Sequence, residues 1–126
     1  MRKADTVDLY QSLAAAEHAG AIWSLGQGGD LNANLVRFPA GRGVGEHVDE
    51  EVDVLVVGVS GVGVVEVDGQ EHPLRAGTVA FVPKGARRST KSGTADFAYL
   101  TIHRSRGLLR IGGLPARIYL GGFLVR

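Results

Sequence analysis

Short apolar runs recur along this chain, and glycine, proline or an Asp-Gly pair breaks each of them before it reaches the length of an ordinary helix. Nineteen of the 126 residues are glycine, and valine is abundant. That combination favours short strands joined by tight turns. The period-two alternation predicts strands over residues 21–25, 31–38, 44–49, 54–59, 64–67, 70–74, 78–82 and 95–104. In the second of these, Asn32 and Asn34 share one face while Ala33 and Leu35 share the other. The run over 54–59 is apolar on both faces, which predicts a central strand. Asp68-Gly69 predicts a two-residue hairpin, because both central positions of a type I′ turn need positive φ. Pro83 has no N–H to donate and must end the strand before it.

One helix is predicted, near the N-terminus. Asp5 or Thr6 can cap it, Val7, Leu9 and Leu13 fall on one face, and Gly20 can end it. Such a helix would lie against the outside of a sheet. Residues 107–126 contain paired glycines and a proline, and predict an irregular tail packed on the barrel or on a second subunit. The pattern by itself predicts an all-β barrel or sandwich in a single domain of residues 1–126. Its parts are an N-terminal helical segment (1–20), a barrel (21–106) and a C-terminal tail (107–126).

Composition removes several functional classes. Fourteen basic and thirteen acidic side chains leave a formal charge of +1, so no global field draws the chain to nucleic acid or to an anionic membrane. The chain has no cysteine, which removes disulfides and thiolate metal sites. The first residues lack the apolar run of a secretion signal, and no stretch reaches the length needed to span a bilayer. The chain therefore reads as cytoplasmic. No nucleophile–base triad, phosphate loop or cofactor fingerprint is present, and no cofactor is expected.

Two spacings stand in register. The first is Gly41, five residues, His47, one residue, Asp49, four residues, Val54, six residues, Gly61. The second is Gly77, five residues, Pro83, one residue, Gly85, two residues, Arg88. Together with the intervening VDGQEHPLRAGTVAFVPKGA they resemble the two signature motifs of the cupin family, over about residues 31–103. The resemblance implies a double-stranded β-helix, the cupin jelly-roll barrel, with a short N-terminal helix. It also implies a site inside the barrel. In the cupins that bind metal, two histidines, a glutamate and a third histidine occupy four motif positions and hold iron, manganese, nickel or zinc. Those positions are His47, Asp49, Val54 and Arg88 in this chain. Valine cannot ligate and a guanidinium repels a cation, so no preformed metal site is expected. Asp53, Glu51 or His103 could rebuild a ligand shell, although Glu50, Glu51 and Asp53 also read as a solvated acidic turn.

Arg88 has two readings. In one its guanidinium occupies the metal's place, pairs with Asp49 and makes the pocket prefer an anionic or polar ligand. In the other it turns outward with Lys84, Arg87 and Lys91 as a basic loop. His47 is either hydrogen-bonded filler or, with a normal pKa near 6.5, a proton acceptor that Asp49 could orient. His103 alternates with Phe97, Tyr99 and Thr101, so all four enter the pocket together or face outward together. The expected ligand-binding set is His47, Asp49, Arg88, Asn34 and Trp23, with His47 the catalytic candidate. Two functions follow. One is a metal-free cupin that binds a small polar or anionic metabolite. The other is a cupin enzyme: an isomerase, epimerase or lyase with His47 as general base, or a dioxygenase-like enzyme with a rebuilt metal shell. Cupin barrels commonly pair through strand edges, so a homodimer is expected.

Overall fold

The structure, a computed structural model, describes residues 5–26, 29–106, 109–111 and 114–116, the last two stretches as backbone only. The N-terminal helix α1 spans Leu9–Ala15 and is followed by strands β1 (Gly20–Ser24), β2 (Leu31–Phe38), β3 (Gly43–Val48), β4 (Val54–Ser60), β5 (Val62–Val67) and β6 (Gln70–Arg75). Then come β7 (Val79–Val82), β8 (Arg87–Ser92), β9 (Phe97–Arg104), β10 (Leu109–Ile111) and β11 (Leu114–Ala116). All pairings are antiparallel. A five-stranded sheet in the order β1-β2-β9-β4-β7 faces a four-stranded sheet in the order β3-β8-β5-β6, and β10 with β11 forms a separate two-stranded ribbon. This is the jelly-roll arrangement that the motif spacing implied.

The inner faces of the two sheets bury Val36, Val54, Val56, Val65, Leu74, Val82 and Phe97 in one core. A second, smaller core lies outside the large sheet, where Leu9 and Leu13 of α1 pack against Leu35, Val59 and Ala98. Burying those two leucines is what holds a helix of only 7 residues, which would be unstable alone. Arg37 clamps its C-terminal end, donating to the carbonyls of Leu13 (3.0 Å), Ala16 (3.3 Å) and His18 (3.0 Å). The N-cap is Asp8 and not Asp5 or Thr6, because its Oδ1 accepts from the Gln11 N–H at 3.0 Å. Asp8→Ala should cost about 1 kcal/mol, read as a lower urea midpoint with an unchanged slope.

The hairpin at Asp68-Gly69 forms as expected, with φ of 50° and 82°. Pro83 follows directly on the last residue of β7, and Pro73 sits on β6, an edge strand whose open side needs no donor. Gly61 has a geometric reason to be glycine. Its φ is +70°, and a Cβ there would lie 2.0 Å from the main-chain oxygen of Asp96.

Two elements depart from the sequence pattern. β4 is flanked on both sides, by β9 and β7, yet its outer face is covered only at Val59, under α1, while Leu55 is exposed and Val57 only half-buried. Residues 87–92, read above as part of a basic loop, form a strand with no apolar side chain. Arg88, Thr90 and Ser92 point in while Arg87, Ser89 and Lys91 face outward. A strand can be wholly polar when the cavity beside it is polar. The tail expected over 107–126 contains the β10–β11 ribbon, and the rest of it lies outside the described residues.

Candidate functional site

Between the two sheets lies a cavity of about 280 Å³. Three kinds of wall meet there. Valines from β2, β3, β4, β5 and β7 make an apolar wall, and Ser24, Asn34 and Thr101 make a polar row. His47, Asp49, Arg88, His103 and Arg106 make a charged cluster. The polar row follows from register, since Ser24 pairs with Asn34 and Asn34 with Thr101 across β1, β2 and β9. His47 and Arg88 face each other across β3 and β8. His103, Thr101, Tyr99 and Phe97 share the inner face of β9, so the inward reading of that strand holds.

Of the five expected ligand-binding residues, His47, Asp49, Arg88 and Asn34 line this cavity. Trp23 does not. A bulge between Ala21 and Trp23 breaks the alternation of β1, so Ala21 and Ser24 face the cavity while Trp23 packs with Leu9, Leu13 and Leu35 under the helix. Arg106 belongs to the cluster although nothing in the motif spacing pointed to it. It follows the last residue of β9 by two positions, and only its place beyond His103 on an inward-facing strand hinted at its reach.

The carboxylate of Asp49 pairs with Arg106 and not with Arg88. Its Oδ1 accepts main-chain N–H groups of Glu51 (2.8 Å) and Val52 (3.3 Å), which ties down the turn after β3. Its Oδ2 accepts from Arg106 Nη2. Arg88 reaches only the main-chain oxygen of Asp49, at 3.5 Å, the outer limit of a hydrogen bond. Arg88 is nonetheless inside the barrel, 8% exposed. Among the described residues its Nε–H finds no acceptor, and neither does that of Arg106.

His103 completes the cluster. Its Nδ1 lies 2.6 Å from the Arg104 carbonyl oxygen, and a carbonyl only accepts, so the proton sits on Nδ1. Nε2 then offers its lone pair to Arg106 Nη1 at 2.9 Å. Burial lowers the pKa of His103; the Arg104 carbonyl and the Asp49 charge raise it, and the charges of Arg106 and Arg88 lower it, leaving it below its ordinary value. Burial pushes the Asp49 carboxyl up. The bond from Arg106, the main-chain bonds and the Arg106 charge outweigh this and hold it below its ordinary value. Burial and the nearby Arg106 lower the pKa of Arg88 against the attraction of Asp49. Burial drives Tyr99, which shares a 2.9 Å hydrogen bond with Thr90, up to about 12, so its phenol stays protonated.

A pH dependence follows. His103 and Asp49 both bind protons less readily in the folded protein than in the unfolded chain. The stability each contributes is fully present above its unfolded pKa and is lost as pH falls through the folded one. The His103 loss therefore begins below 6.5 and the Asp49 loss below 3.8. Melting temperature should fall between about pH 7.5 and pH 5, and His103→Gln should flatten that part of the profile.

The four-ligand shell of the metal-binding cupins does not fit these side chains. Val54 has no donor atom, Arg88 puts a cation in the cavity, and both oxygens of Asp49 are already engaged. Asp53, a candidate for rebuilding the shell, is exposed and accepts the Lys84 N–H at 2.9 Å. Among the described residues no three His, Asp or Glu side chains gather in a way that could hold a metal ion. No helix among them is long and apolar enough to cross a membrane.

Comparison with known proteins agrees with this fold. A protein from Neisseria meningitidis is similar over 80% of this chain and 100% of its own, with 25% identity and a TM-score of 0.68. A predicted oxalate decarboxylase from Thermotoga maritima shares 27% identity over 57% of this chain and 64% of its own, with a TM-score of 0.54. KdgF from a Halomonas species shares 23% identity over 67% of this chain and 76% of its own, with a TM-score of 0.62. No curated protein matches the chain. The family model described as Cupin domain matches residues 34–103, which run from the polar row on β2 to the inward histidine of β9. The chain belongs to the cupin family.

Proposed function

We propose that the barrel binds a small anionic metabolite through Arg88 and Arg106, with protein side chains in place of a metal ion. The observation that carries this reading is the state of Arg88. A guanidinium has five N–H donors, and this one is 8% exposed with one marginal hydrogen bond and an unpartnered Nε. Burying a cation with its donors unused is costly unless an anion completes it. Asp49 does not do so, because Arg106 holds its free oxygen.

Calorimetric titration with short-chain carboxylates and with their amides tests the proposal. One carboxylate should bind per chain and the amides should not. Manganese, iron, nickel and zinc should each leave the melting temperature unchanged. A metal-induced rise that His47→Ala abolishes would overturn the reading.

His47 supports a second reading, acid–base chemistry on the bound acid. Its Nδ1 lies 2.8 Å from the Gly45 carbonyl oxygen, which places the proton there and the lone pair of the neutral ring on Nε2. Exchange of a ligand C–H for deuterium in D₂O, lost in His47→Gln, is the result that would favour it. We also propose a homodimer in which a second copy covers the exposed Leu55, Val79 and Phe81 on the outer face of β4 and the edge strand β7. Light scattering in solution would read twice the chain mass.

A further inference from the structure

Resting on that binding reading, we infer that the ligand is a small monocarboxylate carrying a hydroxyl or carbonyl oxygen, a hydroxy or oxo acid, and not a dicarboxylate. Three features of the cavity narrow the class.

The first is charge. Among the described residues, the charged side chains lining the cavity are Asp49, Arg88 and Arg106. Asp49, Arg88 and Arg106 together carry one net positive charge, which one carboxylate cancels. A second carboxylate would have to lie against Val36, Val44, Val54, Val56, Val65 and Val82, where an unpaired charge is strongly disfavoured.

The second is the polar row. Ser24 Oγ donates to Asn34 Oδ1 at 2.7 Å. That bond occupies the amide oxygen and leaves the Asn34 NH₂ as a donor group. Thr101 lies beside it on β9. This row belongs to the large sheet, whereas Arg88 comes from the small one. A ligand held by its carboxylate at the arginines therefore meets a second set of donors at another part of its body, and donors require an acceptor oxygen.

The third is size. A volume of about 280 Å³ lies at the small end of the roughly 300–1,000 Å³ range of small-molecule sites. A short acid with an aliphatic or compact aromatic body fits, and an extended one does not.

The test is calorimetry on the full chain with size-matched probes: 2-hydroxy-3-methylbutyrate, 2-oxo-3-methylbutyrate, 3-methylbutyrate, the amide of the hydroxy acid, and malate. The hydroxy or oxo acid should bind about tenfold more tightly than 3-methylbutyrate, the effect of one hydrogen bond. It should bind at least about 30-fold more tightly than malate or the amide. Asn34→Ala should close the gap between the oxygenated and plain acids. Malate binding as tightly as the hydroxy acid overturns the charge argument. Equal affinity for the oxygenated and plain acids, or a gap that survives Asn34→Ala, overturns the polar-row argument. In both cases anion binding itself stands. Failure of every acid to bind removes the binding reading and this inference together.

Discussion

Arg88→Met should reduce carboxylate affinity by at least about 100-fold, roughly 2.7 kcal/mol, and at the same time raise the melting temperature. The two effects have one origin. Arg88 is a buried cation whose only hydrogen bond among the described residues is a 3.5 Å contact to the Asp49 main-chain oxygen. Its desolvation is therefore poorly offset, and a methionine of similar reach would relieve it while filling the same space. The gain should be on the order of 1 kcal/mol or more, several degrees in a chain of this size. An arginine retained for structure behaves in the opposite way, because its removal lowers stability. Calorimetric melting and ligand titration of the same variant separate the two outcomes. A lower melting temperature with binding intact would assign Arg88 to the scaffold.

Asp49→Asn should be the most damaging single change in the cluster, costing about 3–5 kcal/mol. Asparagine keeps an oxygen for the Glu51 and Val52 N–H groups, so the turn after β3 retains its cap. What is lost is the only carboxylate that the described residues contribute to the cavity lining. Arg106 and Arg88 would then share the interior as two uncompensated cations, and each already lies within electrostatic reach of Asp49. Urea unfolding gives the cost, and the double variant Asp49→Asn with Arg106→Gln tests its cause. Removing the second charge should recover a substantial part of the loss, a coupling of opposite sign to simple addition. Additive losses would mean that the pair matters through packing and not through charge.

These consequences differ in how they could be read from the chain. Most strand positions and the hairpin at Asp68-Gly69 came from local information, since alternation and positive-φ chemistry involve only neighbours. The motif glycine at position 61 belongs partly to this class. Its positive φ is a local matter, while the approach of Asp96 to within 2.0 Å of a would-be Cβ is a tertiary one. Four of the five expected ligand-binding residues reached the cavity because strand alternation and motif spacing place them there. Trp23 did not, because a one-residue bulge is invisible to a period-two count. The strand Arg87–Ser92 was missed for the opposite reason, since its alternation is between buried and exposed polar side chains and not between apolar and polar ones.

The amino-acid sequence by itself determined an all-β barrel or sandwich; its two motifs, through their resemblance to those of the cupins, added the barrel interior as candidate site, with His47 kept and the other metal ligands replaced by Asp49, Val54 and Arg88, because each is a matter of residue type at a spacing. Only the tertiary structure decided who pairs with whom. Asp49 is 57 residues from the arginine that holds it, and no periodicity connects them. That choice left Arg88 without a partner carboxylate among the described residues, which is the physical basis for expecting an acid from solution to fill the place.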